Sequence, residues 1–197
     1  MNASVLSSAA GQPRHRTRRA GRSRPAARVS LRPATSADVS QLHALITAHA
    51  EEGHLLPRAI DELATHAARF VVAVDRGRVV GCAELAPLSA RVGEIRSLVV
   101  ESRARGRGVG RDLVGEIRQR AGRDGFETLC AFTHDAAYFV RMGFSIVPHS
   151  WVPEKIAVDC RSCALFRRCG QYAVVLPLQA SSAHHAAGLA PLAALRG

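Results

Sequence analysis

The sequence predicts a single domain of the α+β class, in which helices pack on a central sheet. Three observations lead to this prediction. Short apolar runs typical of strands occur between longer segments whose apolar residues recur at helical spacing. Two of the apolar runs flank a tight-turn signal. The chain has 197 residues, of which 47% are hydrophobic, and this suits one domain with a sizeable core.

The first half of the domain supplies two helices and four strands. ARVSLRPA alternates in polarity and predicts a strand, and Ser36 is placed to cap a helix whose apolar residues begin at Val39. AIDELATHAA predicts a second, shorter helix. RFVVAV and RVVGCAELAPL flank the turn DRG at 75–77 and predict a hairpin, and RVGEIRSLVV predicts the next strand.

The second half adds two helices and three strands. A helical pattern begins at Val109 and is ended by Gly122 and Gly125. ETLCAF predicts a strand, DAAYFVRM predicts a short helix that stops at Gly143, and FSIVP and QYAVVLPL predict two more strands. The predicted order is β-α-α-β-β-β-α-β-α-β-β, an α+β sheet with helices packed on it.

The two ends of the chain lack apolar periodicity, and we predict that both are disordered tails. Residues 1–27 contain six Arg and no acidic residue, which leaves +5 of the net charge of +11 for the rest of the chain. Residues 179–197 are low in complexity and rich in Ala. The folded domain is therefore expected at residues 28–178.

The basic first tail leaves three interpretations open: a plain basic tail, a transit peptide, or a segment in loose contact with nucleic acid. No apolar region follows the Arg cluster, and no segment has the length and apolarity of a transmembrane helix. We therefore expect a soluble, cytoplasmic protein with no membrane partner. Nucleic acid is not expected as a partner either, because residues 1–69 contain no Phe, Tyr or Trp that could stack on bases.

A segment of alternating glycines precedes the helix that begins at Val109. Gly106, Gly108 and Gly110 let the backbone approach a ligand closely, and free amides at the helix N-terminus favour an anion such as a phosphate. Positive charge is added by three arginines, Arg105, Arg107 and Arg111. A solvated basic turn is the alternative interpretation. The segment is not a P-loop, since no Gly-Lys-Ser/Thr follows it.

RGRGVG at 105–110 resembles the Arg/Gln-x-x-Gly-x-Gly/Ala signature of the GCN5-related N-acetyltransferases, the GNAT family. The element order and the segment YFVRMGF are similar to that family as well, over about residues 28–178. The resemblance implies a mixed, mostly antiparallel central sheet with helices on both faces. It also implies acetyl-CoA as co-substrate. A bulge in the fourth strand is implied to free backbone groups for the pantetheine arm, with Leu98 and Val100 beside it. The loop residues implied to bind it are Arg105, Gly106, Arg107, Gly108, Val109, Gly110 and Arg111.

A narrower resemblance concerns the acceptor. GEIRSLVV, FTHDAAYFVRMGF and PEKIAVDCRSCALFRRCGQYAVVLPL are similar to the acetyltransferase domain of N-acetylglutamate synthases, especially the short bacterial forms. This implies L-glutamate as acceptor and the first step of arginine biosynthesis. Two alternatives stay open: a family member that acetylates a polyamine or a peptide N-terminus, and a non-catalytic module that binds acyl-CoA. Clustered acidic residues, which a polyamine site would need, are scarce.

Acetyl transfer to an amine needs a base, because only the neutral amine attacks the thioester. Glu94 is our candidate, and it matches an acidic position of the synthases; a solvent-facing strand residue is the alternative. Many family members carry a tyrosine acid where this chain has Phe139, and Tyr138 is expected to point elsewhere. Thr133 is the alternative hydroxyl for the leaving thiolate, unless it only caps the next helix.

A dicarboxylate acceptor needs cationic side chains around it. Arg96 lies two residues after Glu94 and therefore on the same face of the strand. Its guanidinium can hold a carboxylate through two hydrogen bonds, so Arg96 is the candidate clamp for the acceptor. Arg32, Arg141 and Lys155 are further candidates for this role.

Five cysteines complete the set of candidate residues. Cys82 and Cys130 lie in apolar strands and are predicted to be core residues. Three more have the spacing C-x2-C-x5-C, which allows a structural zinc site: Cys160, Cys163 and Cys169. His149 or Asp159 would supply its fourth ligand. We favour reduced, structural thiols over zinc, and no metal is expected in catalysis. The sequence leaves a homodimer open.

Overall fold

The computed structural model describes residues 29–51 and 55–178. Its strands are β1 Ser30–Pro33, β2 Phe70–Asp75, β3 Arg78–Pro87, β4 Val92–Val100, β5 Thr128–Thr133, β6 Ser145–Val147 and β7 Tyr172–Pro177. Its α-helices are α1 Val39–Glu51, α2 Ile60–His66, α3 Val109–Arg123, α4 Ala136–Val140 and α5 Pro153–Val158. The predicted tails, residues 1–27 and 179–197, lie outside the described residues.

The seven strands form one sheet in the order β1-β2-β3-β4-β5-β7-β6. Neighbouring strands are antiparallel except for β4 and β5, which are parallel. Arg76 and Gly77, both with positive φ, make the turn between β2 and β3, as a two-residue hairpin requires. The structure thus confirms the mixed, mostly antiparallel sheet and places the hairpin at its sequence signal.

A β-bulge in β4 shapes the middle of the sheet. Ser97 has a φ of 47°, and the register between β3 and β4 shifts between Cys82 and Glu84. The parallel pairing of β4 with β5 runs from Val92 to Ile95. Beyond Ile95 the two strands separate, and a cleft opens between their carboxyl ends.

Helices cover both faces of the sheet, as predicted. On one face α3 and α4 pack over a core that includes Leu113, and on the other face α1 and α2 bury Leu42 and Leu63. Along β2, Val71 joins the first core and Val72 the second, because successive side chains of a strand point to opposite faces. Each fully buried leucine or valine contributes about 1.5–3 kcal/mol to folding.

The structure differs from the sequence prediction at two helices: the start of α1 differs, and α5 is not predicted. A 3-10 turn at Ser36–Asp38 precedes α1, so Ser36 is not its cap. The Asp38 carboxylate instead accepts hydrogen bonds from the backbone N–H and the hydroxyl of Thr35. The helix α5 is absent from the predicted order, although Pro153 at its first turn is a common start signal. Among the helices described, none has the length and apolarity to cross a membrane.

Candidate active site

An open cleft of about 1890 Å³ lies where β4 and β5 separate. The bulged half of β4 forms its floor together with the end of β5. The loop before α3, the turn before α4, and α5 with the cysteine segment that follows it form the walls. These walls bring together most of the residues that the sequence singles out, and the cleft is therefore the candidate site.

The glycine loop (residues 105–110) forms one wall and ends at the N-terminus of α3. Gly106 and Gly108 have φ values of 74° and 83°, and a Cβ on either residue would meet no atom within 4 Å. Gly108 is also the N-cap residue of the 15-residue helix α3, whose first amides lie at this wall. Bare backbone, open space and a helix N-terminus together suit a phosphate group.

The three arginines of this region have different partners. Arg105 and Arg111 line the cleft, and Arg105 Nε donates to the Val100 carbonyl at 3.0 Å. Arg107 lies outside the cleft lining, and its Nη1 pairs with Asp75 Oδ2 at 3.1 Å. Arg105 and Arg111 are therefore placed to meet an anion, whereas Arg107 attaches the loop to the β2–β3 hairpin.

The apolar residues that the resemblance assigns to the cofactor also lie here. Leu98 and Val100 line the cleft just after the bulge at Ser97, and Val109 lies at the base of the glycine loop, 3% exposed. Gly110, in the first turn of α3, lies so close to Tyr138 that a Cβ there would be 2.5 Å from the tyrosine hydroxyl oxygen. The floor and the loop thus form one continuous surface around the start of α3.

Glu94 lies on the cleft floor and is only 2% exposed, so it is not a solvent-facing strand residue. Arg96 Nε donates to its Oε2 at 2.6 Å, and Lys155 Nζ donates to its Oε1 at 2.6 Å. Glu94 and Arg96 share one face of β4, as their spacing predicts. The two cations offset the cost of burying this carboxylate.

Arg96 and Lys155 share a second carboxylate, that of Asp159. Asp159 Oδ2 accepts from Arg96 Nη2 and also pairs with Lys155 Nζ at 2.9 Å. Lys155 Nζ lies over the Phe132 ring, 5.2 Å from its centroid. Burial alone would lower the pKa of Arg96, but the charges of Glu94 and Asp159 raise it above its ordinary value. Among the further cationic candidates, Lys155 therefore belongs to the site.

A second buried ion pair continues along the same face of the sheet. Glu84 on β3 is 1% exposed and lies opposite Arg96 on the neighbouring strand. Arg58, which precedes α2, donates to Glu84 Oε2 at 3.0 Å and to the Ser97 hydroxyl at 3.1 Å, and pairs with Glu62 at 2.8 Å. Sequence reasoning missed Arg58 and Glu84, although a lone acid within an apolar strand is a signal for a buried, paired charge.

The candidate hydroxyl groups lie on the wall before α4. Thr133 lines the cleft, and its Oγ1 accepts from the Asp135 N–H at 3.0 Å. Asp135 rather than Thr133 caps α4, because its carboxylate accepts from the Tyr138 N–H at 3.0 Å. Phe139 is buried at the cleft wall. Tyr138 lines the cleft too, which the sequence does not predict, and burial raises its pKa.

The cysteine segment also borders the cleft. Cys160, Cys163 and Cys169 all line it as free thiols, and burial raises the pKa of Cys160. Cys82 and Cys130 are buried, as predicted, and burial raises the pKa of each to about 12. Within residues 29–51 and 55–178, no group of three or more His, Cys, Asp or Glu is arranged to hold a metal ion.

Three further candidates from the sequence have different positions relative to the cleft. Arg32 pairs with Asp38 at 2.7 Å and lies outside the cleft lining, so it is not positioned to hold an acceptor there. Arg141 lines the cleft. His149 Nε2 lies within hydrogen-bond distance, 2.8 Å, of the Gln171 carbonyl oxygen, so that ring nitrogen already has a partner within the chain.

Comparison with known proteins adds a family context to this geometry. Residues 37–144 match the model of the acetyltransferase (GNAT) family, and this range contains β4, the glycine loop, α3 and β5. The chain is 32% identical over 154 residues to an uncharacterized N-acetyltransferase of Chlorobaculum tepidum. The matched region covers 78% of this chain and 99% of the relative. It is 34% identical over 136 residues to the amino-acid acetyltransferase of Neisseria meningitidis, over 68% of this chain and 31% of the relative.

A solved structure shows the same fold. N-acetylglutamate synthase from Neisseria gonorrhoeae, complexed with coenzyme A and N-acetyl-glutamate, superposes with a TM-score of 0.70 at 31% identity. The match covers 77% of this chain and 35% of the synthase. This chain spans about a third of the length of each of the two Neisseria proteins.

Proposed function

Because the chain belongs to the acetyltransferase (GNAT) family, we propose that it transfers an acetyl group from acetyl-CoA to the α-amino group of L-glutamate. One observation carries this proposal: two complementary features meet in one cleft. The glycine loop presents bare backbone and a helix N-terminus that suit phosphates. Beside it, the buried Glu94 is flanked by Arg96 and Lys155, an arrangement that suits an amine bearing carboxylates.

The glycine loop and the bulged half of β4 are the proposed binding surface for acetyl-CoA. The open space in front of Gly106 and Gly108 admits the pyrophosphate, and Arg105 and Arg111 add positive charge nearby. Since the pairing of β4 with β5 ends at Ile95, backbone groups on that side of β4 are available to the amides of the pantetheine arm. The coenzyme A in the gonococcal synthase structure supports this donor.

Glu94 is the proposed general base. Acetyl-CoA supplies the acyl group: the amine nitrogen bonds to the thioester carbon, the C–S bond breaks, and the CoA thiolate leaves. The amine must first lose a proton, and Glu94 on the cleft floor takes it, directly or through water. Each carboxylate oxygen has two lone pairs, so the bonds from Arg96 and Lys155 leave acceptor capacity. After the C–N bond has formed, the nitrogen loses its second proton, and the Thr133 hydroxyl at the cleft wall is proposed to relay that proton to the thiolate, so that Thr133 ends the step unchanged.

Arg96 and Lys155 are the proposed partners of an acceptor carboxylate. The names of the two Neisseria relatives, an amino-acid acetyltransferase and an N-acetylglutamate synthase, support an acidic amino acid, and with it the first step of arginine biosynthesis. A polyamine fits this cleft less well. Among the described residues, four acids line it. Glu62, Glu94 and Asp159 are each paired with a cation of the chain itself, and Asp135 accepts from the Tyr138 N–H as the cap of α4.

A thiol-release assay tests the proposal directly. The protein is incubated with acetyl-CoA and, separately, with each of the twenty amino acids, a polyamine and a peptide with a free N-terminus. L-Glutamate should give the fastest release, and mass spectrometry should detect N-acetylglutamate. Release with the polyamine or the peptide, and with none of the amino acids, would refute L-glutamate as the acceptor. Acetyl-CoA binding by calorimetry without release on any acceptor would indicate a non-catalytic acyl-CoA-binding module instead.

A further inference from the structure

The carboxylate of Asp159 lies between the two cations assigned above to the acceptor. Its Oδ2 accepts a hydrogen bond from Arg96 Nη2 and lies 2.9 Å from Lys155 Nζ. These are the donors that a substrate carboxylate would use. The chain therefore places one of its own carboxylates where the acceptor's carboxylate is proposed to bind.

The ion-paired groups in and beside the cleft already carry an excess of negative charge. Three cations, Arg58, Arg96 and Lys155, pair with four acids, Glu62, Glu84, Glu94 and Asp159. A further carboxylate would double that excess in partly buried surroundings, where like charges repel more strongly than in water. An acidic acceptor therefore binds far better if one of the four acids moves away.

In the part of the chain that the structure describes, three acids contact or face the two acceptor cations, and Asp159 is the one that can move most easily. Glu94 and Glu84 are 2% and 1% exposed and lie on adjacent strands inside the sheet. The Asp159 side chain is 35% exposed and lies at the C-cap of α5, a helix of six residues at the cleft wall. Its carboxylate can turn to solvent without any change in the pairing of the strands.

We propose that Asp159 is an internal carboxylate that the acceptor's carboxylate displaces, so that Asp159 sets the affinity and selectivity for the acceptor. The inference rests on the proposed function for the identity of that acceptor. An acidic amino acid takes over the donors on Arg96 and Lys155 while Asp159 turns outward. An amine without a carboxylate in that position leaves Asp159 in place and gains neither donor, so the exchange favours acids over neutral amines.

Asp159→Asn should bind acidic ligands more tightly than the parent, because a neutral amide competes poorly for two cations. If Asp159 is turned outward in about one molecule in ten, its removal as a competitor lowers the apparent dissociation constant by up to about tenfold. Calorimetry with glutarate, a dicarboxylate without an amine, measures this affinity independently of acetyl transfer. The KM for glutamate should fall by a similar factor, while the KM for acetyl-CoA stays unchanged.

Two further variants separate displacement from general charge effects. Asp159→Glu keeps a carboxylate at the position and should bind glutarate about as weakly as the parent. Glu154→Gln removes a negative charge from the same helix but outside the cleft lining, and it should leave the glutarate affinity unchanged. Thermal melting of each variant confirms that it is folded.

The outcomes distinguish this inference from the proposed function. Weaker or unchanged glutarate binding by Asp159→Asn overturns the inference, since Asp159 would then only position Arg96 and Lys155. Failure to detect glutarate binding in the parent and the variant alike also overturns it. A parent that releases no thiol with glutamate, combined with tighter glutarate binding by Asp159→Asn, refutes the acceptor and retains the displaceable carboxylate.

Discussion

Glu94 is the residue whose replacement should affect the chemical step most directly. Glu94→Gln keeps the shape of the side chain but cannot take a proton from the amine. Turnover should fall by about 10²- to 10⁴-fold at neutral pH, the usual contribution of a general base. The loss should shrink as the pH rises, because more of the amine is then already neutral. The thiol-release rate with saturating glutamate, measured from neutral to alkaline pH, checks this expectation.

Glu84→Gln is the matched control for that experiment. Glu84 is also a buried carboxylate paired with an arginine on the same face of the sheet. The turnover of Glu84→Gln should keep the pH profile of the parent, even if the loss of this ion pair lowers the melting temperature. Calorimetry should give the same acetyl-CoA affinity for Glu94→Gln and the parent. Unchanged turnover of Glu94→Gln at neutral pH would exclude Glu94 as the base.

Asp38 should make the stability of the fold depend on pH. Arg32 donates to both oxygens of Asp38, at 2.7 and 2.8 Å, and holds the pKa of that carboxyl well below its usual range, although burial opposes the shift. Because the pKa is lowered in the folded state, the ionised carboxylate stabilises the fold above the unfolded-state pKa of about 3.9. This stabilisation is lost as the pH falls from there toward the folded-state pKa.

Asp38→Asn should therefore lower the free energy of unfolding by roughly 1.5–3 kcal/mol at neutral pH, and the difference should begin to close only below about pH 4. Urea unfolding of parent and variant across this range measures the difference. Asp61→Asn makes the same chemical change at an exposed position of α2 and should have little effect throughout. A difference that stays constant into acid would contradict the role given to the Arg32 ion pair.

Contacts between residues close in the chain could be predicted from the sequence, and contacts between residues far apart could not. Arg96 follows Glu94 by two positions, so the pleat of one strand places both on the same face. Lys155 lies 61 residues beyond Glu94, and only the packing of α5 at the cleft wall brings them together. Arg58 and Glu84, 26 residues apart, meet for the same kind of reason. The charges of the floor thus depend on tertiary packing.

At the scale of elements, the glycine loop and α3 allow a test with a matched control. Gly108 and Gly125 have φ values of 83° and 84°, and a Cβ on either would meet no atom within 4 Å. Alanine at each position should therefore cost a similar amount of stability, about 1–2 kcal/mol, from the left-handed backbone alone. Gly108 lines the cleft at the start of α3, whereas Gly125 follows the end of that helix.

Gly108→Ala should also weaken acetyl-CoA binding, and Gly125→Ala should not. The added methyl group occupies the space in front of the loop and displaces a phosphate from the backbone amides. One lost hydrogen bond to a charged group corresponds to roughly 1.5–3 kcal/mol, hence about a tenfold or larger rise in the dissociation constant. Calorimetry with acetyl-CoA measures it. Equal affinities of the two variants would show that the loop is only a basic turn.

The sequence predicts elements with strong periodicity and misses those that depend on their neighbours. The 15 residues of α3 repeat their apolar face over several turns, and Gly77 of the DRG turn suits the left-handed backbone there. α5 has six residues, none of them buried, so no apolar stripe marks it. The bulge at Ser97 leaves no mark in the composition of β4, and only the family resemblance implies it.

At the scale of the whole molecule, the fold requires the region from β1 to β7. The described core clusters draw their residues from between Val29 and Leu178, at the two ends of the predicted domain. β7, near the C-terminal end of that region, is inserted between β5 and β6 in the sheet. From the pairing of β7 we therefore predict a boundary at about residue 178, and from the start of β1 a boundary at about residue 28.

A shortened chain of residues 28–178 should unfold cooperatively and bind acetyl-CoA as the full chain does. The six arginines of residues 1–27 are lost with that segment, and because salt at about 0.15 M screens charges that lie further than about 8 Å apart, we expect little effect on the affinity for the anionic acetyl-CoA. A chain of residues 28–170 is the control, because it lacks β7 and leaves β5 and β6 without the strand between them. Thermal melting should show a cooperative transition for the first chain and none for the second. If residues 28–178 fail to melt cooperatively, the domain boundaries are wrong, although the family assignment, which depends on residues 37–144, would stand.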